Sequence, residues 1–425
     1  MPQCLRLYLQ SITSLRNKFS IRFFLIITCL SLMLSVIWIQ LIEKDNLTYD
    51  SENLISEALE NGARDHRYSE VYRKVERLQK DMKYILLWTP KEFAPFYYLG
   101  DGQRAFIDKH CDPINCYVTT NRNFFGGDTT KFHAIAFNGR NIETMTKSKL
   151  PSYRSLHQKF IFFNMESADN YPVCSDVFNN FFNWTSTYRL DSDIPFPYIQ
   201  IKNSQGEVVG PKTKMKWIED NYSIDEDLEL RLQNKSKAVA WFVSHCSSRS
   251  GRQEYVKQLQ KALQMYSLTV DVYGACGPLK CSRNQKSSCD SVLKRDYFFY
   301  LSFENSFAED YVTEKLLTAL QHEAVPIVFG GADYSRFLPH GSYLNARYTT
   351  PEDLAYTIAN LIKSRKKYSQ FFEWKTSYTY RDPSETDNVC SVCKALNDKD
   401  FFENTSVYYN FRSWWNPNYE DRCKK

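Results

Sequence analysis

Lys315 stands where a lysine could bind a phosphate, at the predicted start of a helix that follows a buried strand. The apolar run Tyr297–Phe303 predicts a strand buried on both faces, and Val325–Phe329 predicts the next strand. Between them Asp310 is the expected helix N-cap, so Tyr311 and Lys315, four residues apart, share one face of the first turn. A helix N-terminus at the carboxyl edge of a parallel sheet attracts anions. The alternative is a solvated lysine without a ligand.

Arg252 is a second cation that could contact a phosphate. It follows the strand pattern Ala238–Val243 and begins a helix whose apolar face is marked by Tyr255, Leu259 and Leu263. A guanidinium at a strand-to-helix edge has the right shape for bidentate contacts with the oxygens of a diphosphate. From the residues alone, a surface arginine is the simpler interpretation.

Glu166 is the candidate general base. It follows the predicted strand Lys159–Asn164 by two residues, which places it near the carboxyl edge of a first sheet. We expect it to face a cleft between this sheet's domain and the domain that contains Lys315. A carboxylate in this position could take a proton from an attacking hydroxyl. The alternative is a loop glutamate without a chemical role.

The segment around Lys315 also resembles a known family. Glu304-Asn305-Ser306 followed by Asp310-Tyr311-Val312-Thr313-Glu314-Lys315 is similar to the signature of the Golgi α1,3-fucosyltransferases, which transfer fucose from GDP-fucose to N-acetylglucosamine. Glu166 lies in a context similar to the family's Phe-x-x-Glu-Ser-Pro, with Ala168 in place of the proline. The resemblance covers roughly residues 84–393. Invertebrate members are the most similar, through Val243–Cys246, Tyr273–Gly277 and Trp414-Trp415.

The resemblance implies an α/β fold of two facing Rossmann-like domains (GT-B type) and inverting transfer from GDP-β-L-fucose without a metal or other cofactor. Glu166 would then be the base, and Arg252, Lys315 and the helix N-terminus would stabilise the departing GDP. The same resemblance makes Tyr311, Glu304, Asn305 and Glu314 positioners of the ribose, the base or the fucose. The implied acceptor is a glycoprotein glycan, with the N-glycan core and Lewis-type antennae as alternatives. A non-catalytic Golgi glycan-binding protein of the same fold is the rival class.

The triplet Asp191-Ser192-Asp193 suggests a different chemistry, because many glycosyltransferases hold a divalent metal with such a motif. The triplet lies in the half of the chain that lacks the donor signature. It is followed by Pro197-Tyr198-Ile199, where the family has Pro-Tyr-Gly. We therefore expect an acceptor-side structural segment, in which Arg189 forms ion pairs with the aspartates.

Length and charge bound the remaining possibilities. A chain of 425 residues with a net charge of +5 and no basic stripe suits two domains and makes nucleic acid an unexpected partner. The uncharged run Phe23–Ile42 is long enough, at about 1.5 Å per residue, to cross a bilayer core of roughly 30 Å. A cleaved signal peptide is the alternative, but the run ends in a poor cleavage site. Basic residues before the run predict a cytosolic N-terminus, with the remainder of a single-pass type II protein in a lumen. The resemblance implies that this membrane is that of the Golgi.

The predicted organisation follows the chain in order. We expect a cytosolic tail (1–22), a transmembrane signal-anchor (23–42), a stem (43–83), an acceptor-side α/β domain (84–222), a GDP-fucose-binding α/β domain (235–370) and a C-terminal disulfide-containing extension (371–425). The acidic segment 219–229 is the expected linker between the two domains.

Cysteines and sequons agree with a lumenal location. Two of the 12 cysteines, Cys4 and Cys29, lie before or within the predicted span, and the even number that remains suits disulfides. Local bridges are expected for Cys111 with Cys116 and for Cys390 with Cys393; zinc is the less favoured alternative, and the partners of the other cysteines stay open. Five predicted N-glycosylation sites lie beyond the span: Asn46, Asn183, Asn221, Asn234 and Asn404.

Overall fold

A computed structural model describes residues 30–36, 81–143, 145–218, 223–281, 286–383, 388–404 and 406–424, without the side chains of 286–288. The chain forms two compact units, 1–80 and 81–425. In the first unit only the helical segment 30–36 is described. No helix in the described ranges has the length and apolarity needed to cross a membrane. The predicted tail, most of the stem and the rest of the predicted span lie outside the described residues.

The second unit begins with a five-stranded parallel sheet in the order β2-β1-β3-β4-β5. Strand β4 has the bounds predicted for it, Lys159–Asn164. Side chains on both faces of β3 and β4 are buried, as expected for central strands of a parallel sheet. The elements are β1 (Lys83–Leu87), α1 (Phe96–Leu99), α2 (Arg104–Asp108), β2 (Cys116–Thr119), β3 (Ala134–Asn138), β4 (Lys159–Asn164) and β5 (Trp184–Thr187), followed by an antiparallel pair, β6 (Gln200–Asn203) and β7 (Val208–Gly210).

A second five-stranded sheet follows, with all its strands parallel and in the order β12-β11-β10-β8-β9. Its first helix, α3, begins inside the predicted linker, because Leu228 and Leu232 are buried in the core of this domain. The elements are α3 (Glu226–Gln233), β8 (Lys237–Phe242), α4 (Arg252–Gln264), β9 (Val270–Tyr273), α5 (Lys286–Asp296), β10 (Tyr297–Phe303), α6 (Glu314–Gln321), β11 (Val325–Phe329), β12 (Leu344–Asn345), α7 (Pro351–Lys363) and α8 (Arg365–Ser369).

The C-terminal segment returns to the first sheet. Strand β13 (Tyr378–Arg381) pairs antiparallel with β6, and four short helices follow it. Val392 and Leu396 are buried in the core beside β1, and the Trp415 ring lies 4.9 Å from the Phe162 ring of β4. The chain end therefore completes the first α/β domain. The helices are α9 (Asn388–Asn397), α10 (Lys399–Glu403), α11 (Phe411–Trp415) and α12 (Tyr419–Cys423).

The disulfides show why the predicted local bridges are wrong. Cys390 and Cys393 are three residues apart in α9 and so face the same way, toward the first sheet. Cys390 bonds to Cys111 and Cys393 bonds to Cys116, which fastens α9 to the first domain. The ten cysteines from Cys111 onward are all paired, as their even number suggested. The other three bridges are Cys174–Cys423, Cys246–Cys276 and Cys281–Cys289.

The predicted glycosylation sites differ in exposure. Asn234 and Asn404 are exposed, whereas Asn46 and Asn221 lie outside the described residues. Asn183 is buried, and its Nδ2 donates a hydrogen bond to the Ser406 carbonyl at 2.9 Å. Because the amide nitrogen is the atom that would carry the glycan, the prediction at Asn183 is at odds with the folded structure.

Candidate active site

The carboxyl edge of the second sheet is organised around Glu304, which directly follows β10 and is 1% exposed. Its Oε1 accepts hydrogen bonds from the backbone N–H and the hydroxyl of Thr313, both at 2.9 Å. Its Oε2 accepts a hydrogen bond from Lys315 Nζ at 3.1 Å. A carboxylate from the end of β10 therefore binds the residue just before α6 and a lysine in its first turn.

The start of α6 corrects the expected helix N-cap. The helix begins at Glu314 rather than after Asp310, and Asp310 has a positive φ of 54°. The Asp310 carboxylate is buried; it accepts hydrogen bonds from the Leu190 N–H at 3.1 Å and from Arg336 Nη1 at 2.7 Å. These partners hold Asp310 away from the helix axis. Tyr311 consequently precedes the helix and does not share its first turn with Lys315.

Lys315 remains charged and partly accessible in this arrangement. Its Nζ also donates to the Thr313 hydroxyl at 2.7 Å and lies 3.4 Å from Glu314 Oε1, and 21% of its side chain is exposed. Burial opposes the charge, but the carboxylates of Glu304 and Glu314 outweigh it and raise the pKa of Lys315. Burial also raises the pKa of Glu304, and the nearby ammonium opposes that shift. The Lys315 ammonium is thus held in place by the carboxylates of Glu304 and Glu314 and by the Thr313 hydroxyl.

Arg252 is the first residue of α4, as predicted, and is 4% exposed. Its Nη1 donates to the Phe303 carbonyl at 2.7 Å and its Nη2 donates to the His245 carbonyl at 3.3 Å. The guanidinium lies 5.7 Å from the centre of the Trp241 ring, and burial lowers the pKa of Arg252. Its Nε is buried and has no partner among the described residues. Its two hydrogen bonds thus go to neutral carbonyl groups, while the nearby charges of Glu304 and Glu314 partly offset the effect of burial.

Asn305 and Tyr311 lie at the contact between the two domains. Asn305 Oδ1 accepts a hydrogen bond from Asn170 Nδ2 of the first domain at 3.2 Å. The Tyr311 ring packs 5.0 Å from the Tyr188 ring and 6.2 Å from the Tyr198 ring, both of the first domain. These two predicted donor residues therefore also join the domains.

Burial raises the pKa of Tyr311, and the neighbouring Tyr198 and the charges of Glu304 and Glu166 add to that shift.

Glu166 occupies the predicted position, two residues after β4. Its N–H donates to Asn164 Oδ1 at 2.9 Å, and the preceding Met165 carbonyl accepts the Tyr198 hydroxyl. About a third of its side chain is exposed (33%), and its Oε1 lies 3.7 Å from Arg140 Nη1. The carboxylate is therefore anchored through its backbone while its oxygens remain open to a ligand.

The structure thus brings the predicted residues together in two groups. Glu304, Glu314, Lys315 and Arg252 lie at the carboxyl edge of the second sheet, and Glu166 lies at that of the first. Sequence reasoning missed two members, Thr313 and Arg140. Arg140 could have been found by the signal that identified Glu166, since each follows a buried strand by two residues.

The aspartate triplet is engaged in structural contacts. Asp191 accepts two hydrogen bonds from Arg189, at 2.8 and 2.7 Å, and a third from Trp414 Nε1 at 3.1 Å, which confirms the predicted ion pair. Asp193 accepts hydrogen bonds from the Thr185 N–H and the Tyr408 hydroxyl, both at 2.8 Å, so its predicted ion pair is wrong. Across the described ranges, no group of three or more His, Cys, Asp or Glu side chains is placed to hold a metal ion.

Comparisons with known proteins agree with this arrangement. Residues 80–199 match the family "Fucosyltransferase, N-terminal" and residues 232–414 match "Glycosyltransferase family 10 (fucosyltransferase) C-term". The chain is 36% identical to α-(1,3)-fucosyltransferase C of Drosophila melanogaster over 356 residues, which cover 80% of this chain and 79% of the relative. It is 30% identical to glycoprotein 3-α-L-fucosyltransferase A of the same organism, over 82% of this chain and 62% of that relative.

Solved structures are more distant. A crystal structure of an α1,3-fucosyltransferase with GDP-fucose has 14% sequence identity and a TM-score of 0.46, covering 77% of this chain and 92% of that one. The family of the chain is therefore shown by the two family matches and by the 36% identity to α-(1,3)-fucosyltransferase C. The chain belongs to glycosyltransferase family 10, a family of fucosyltransferases.

Proposed function

We propose that the chain transfers fucose from GDP-β-L-fucose, with inversion, in α1,3 linkage to N-acetylglucosamine of glycoprotein glycans, with the N-glycan core as the acceptor. The observation that carries the proposal is the cationic group of Lys315 and Arg252 at the edge of the second sheet, with Glu166 on the other domain. The name of one relative, glycoprotein 3-α-L-fucosyltransferase A of Drosophila melanogaster, supports the acceptor class.

The second-sheet group suits the donor. GDP carries negative charge before the reaction and gains more as the bond to fucose breaks, because the transition state has oxocarbenium character. Lys315 and Arg252 supply positive charges that are fixed in place by Glu304, Thr313 and backbone carbonyls. Charges that need no reorganisation during the reaction stabilise a developing anion most effectively. We assign no step to a metal ion.

Glu166 suits the acceptor. Its exposed carboxylate would accept the proton from the N-acetylglucosamine hydroxyl as that oxygen attacks the anomeric carbon. Attack from the first domain on a donor held by the second places the nucleophile opposite the leaving group, which gives inversion. We therefore propose that the two α/β domains face each other across the substrates in the GT-B arrangement.

The protein would work in the lumen of the Golgi. We propose a single-pass type II protein anchored through Phe23–Ile42, a proposal supported by the charge asymmetry around that run. The five disulfides of the described part suit an oxidising compartment.

The function is tested by incubating the full-length protein with GDP-fucose and an array of defined glycans, followed by linkage analysis of the products. We expect fucose in α1,3 linkage on the core N-acetylglucosamine. Fucosylation restricted to antennal N-acetylglucosamine would identify a Lewis-type enzyme. Binding of glycans without any transfer would support the non-catalytic alternative and contradict the proposal.

A further inference from the structure

Arg140 lies beside Glu166 because of where their strands end. Strands β3 and β4 are parallel neighbours, with Asn138 in register with Phe163. Arg140 follows the end of β3 by two residues, and Glu166 follows the end of β4 by two residues. The two side chains therefore leave the same edge of the sheet next to each other, with Nη1 and Oε1 3.7 Å apart.

The backbone that carries Arg140 is built for this approach. Asn138 Oδ1 accepts the Arg140 N–H at 3.1 Å, and Asn138 Nδ2 donates to the Ala94 carbonyl at 3.0 Å. A Cβ on Gly139 would lie only 2.6 Å from Asn164 Nδ2 and 2.7 Å from the Phe162 ring. Only a glycine lets the turn lie this close to β4. The turn thus holds Arg140 against the segment that carries Glu166.

The guanidinium is fixed by aromatic rings as well. Its central carbon lies 4.2 Å from the centre of the Phe93 ring and 5.1 Å from that of the Tyr171 ring. The faces of aromatic rings attract cations, and a planar guanidinium can stack on them. Two rings from different loops therefore restrain a side chain that would otherwise sample many rotamers.

The distance to Glu166 defines what Arg140 can do. A separation of 3.7 Å is an ionic contact that is longer than a hydrogen bond. Such a contact orients the carboxylate and leaves its oxygens free to accept a proton from a hydroxyl. The Glu166 backbone is already fixed by Asn164 Oδ1, so the remaining freedom lies in its side chain.

We propose that Arg140 is a positioning residue that holds the Glu166 carboxylate in its reactive orientation. This inference rests on the proposed function, in which Glu166 takes the proton from the acceptor. Arg140 forms and breaks no bond and exchanges no proton. Its contribution is to keep Glu166 aligned while the acceptor hydroxyl attacks.

The test compares the full-length parent enzyme with Arg140→Ala and Arg140→Lys. Because a small misplacement of a catalytic group is costly, we expect Arg140→Ala to lower kcat by roughly 10- to 100-fold. The affinity for GDP and the KM for GDP-fucose should stay at the parent values. Arg140→Lys keeps the charge but loses the planar stack, so it should recover part of the rate. Arg365→Ala is the matched control, since Arg365 also stacks on a ring, that of Phe298 at 4.6 Å in the second domain; its kinetics should match the parent.

The decisive measurement is a double-mutant cycle with Glu166→Gln. If Arg140 acts through Glu166, adding Arg140→Ala to Glu166→Gln should change the residual rate by less than about twofold. An equal loss in both backgrounds would overturn the inference, as would a raised acceptor KM with an unchanged kcat. Should Arg140→Ala fail to bind GDP, Tyr171→Leu replaces it in the cycle, because it removes one ring and keeps the arginine.

The outcomes separate the two proposals. A parent enzyme that does not transfer fucose, or a Glu166→Gln variant with the parent rate, contradicts the proposed function itself. A slow Glu166→Gln variant beside an Arg140→Ala variant with the parent kcat contradicts the positioning role alone.

Discussion

The carboxyl edge of each sheet carries a carboxylate next to a cation, but the two pairs differ in burial and in the distance between the charges. At the second sheet, the carboxylate of Glu304 is 1% exposed and is fully engaged by Thr313 and Lys315. At the first sheet, the carboxylate of Glu166 is 33% exposed and has a cation only at the longer distance of 3.7 Å. The carboxylate at the second sheet is thus buried and hydrogen-bonded, and the carboxylate at the first sheet is accessible.

This difference suits the two substrates of the proposed reaction. A diphosphate donor presents the same charged group in every cycle, so cations fixed in advance lose little entropy when it binds. Burying an ion pair costs desolvation energy, and such pairs are retained where they fix a geometry. A base must instead exchange its hydrogen-bond partner with each acceptor, which requires open oxygens. The comparison predicts distinct kinetic effects at the two edges.

The largest effect on turnover is expected at the edge of the first sheet, where Glu166 lies. Glu166→Gln keeps the size of the side chain but cannot accept a proton, so turnover should fall by roughly 10² to 10⁴-fold. Donor affinity should be almost unchanged, because Glu166 lies on the other domain from the cationic group. Steady-state kinetics and GDP binding by calorimetry measure the two quantities.

A folded Glu166→Gln variant that transfers fucose at close to the parent rate would place the base elsewhere. The next variant would then be Glu309→Gln. Glu309 lies in the loop between β10 and α6, and its Oε1 accepts a hydrogen bond from Arg336 at 2.8 Å. Glu304 is a poorer candidate for the base, because its oxygens already accept hydrogen bonds from Thr313 and Lys315.

Substitutions at the edge of the second sheet should have a different effect, in which donor affinity and turnover fall together. In the proposed reaction, Lys315→Ala or Arg252→Ala removes a charge that would attract GDP before the reaction and stabilise it more strongly in the transition state. The rate should fall by about 10²-fold or more. Free GDP should also bind more weakly, as measured by calorimetry with the parent protein alongside. A folded variant with unchanged GDP affinity would remove that residue from the donor site.

Much of the fold could be predicted because buried parallel strands read as continuous apolar runs. Tyr297–Phe303 and Val325–Phe329 are strands with the predicted bounds, and the helix at Arg252 begins where it was expected. The C-terminal helices were missed because their partners lie far away in the sequence. Trp415 packs on Phe162, and such a contact leaves no local pattern.

The sequence indicated which residues lie at the candidate site, but it did not indicate which of them contact each other. Asp310 has the residue type of an N-cap, yet its carboxylate binds Arg336 and the Leu190 N–H. Glu304, which is nine residues before Thr313, binds the helix start instead. Local propensity cannot indicate which carboxylate reaches a helix terminus when tertiary contacts compete for it.

A smaller effect, on stability, is expected when the contact between Glu304 and Lys315 is removed. Glu304→Gln can still accept from Thr313, but it presents an amide to Lys315 and removes the hydrogen bond between the ammonium and the buried carboxylate. A hydrogen bond to a charged group contributes about 1.5–3 kcal/mol, so the free energy of unfolding should fall by roughly that amount. Denaturant unfolding of this variant is compared with Glu309→Gln, whose side chain is more exposed. Equal stability of the two variants would show that burial does not distinguish the two carboxylates.

The smallest effect should follow removal of divalent metal ions. Asp191 is hydrogen-bonded to Arg189 and Trp414, and Asp193 is hydrogen-bonded to Thr185 and Tyr408. In the proposed reaction, Lys315 and Arg252 rather than a metal ion bind the charged donor. Chelation with EDTA should therefore leave most of the transfer activity. Asp191→Asn should lower stability by about 1 kcal/mol or less through loss of its half-exposed ion pair with Arg189, with little change in kcat. Complete loss of activity in EDTA, restored by a divalent ion in the parent but not in Asp191→Asn, would instead assign donor binding to the aspartates and reverse the roles of the two edges.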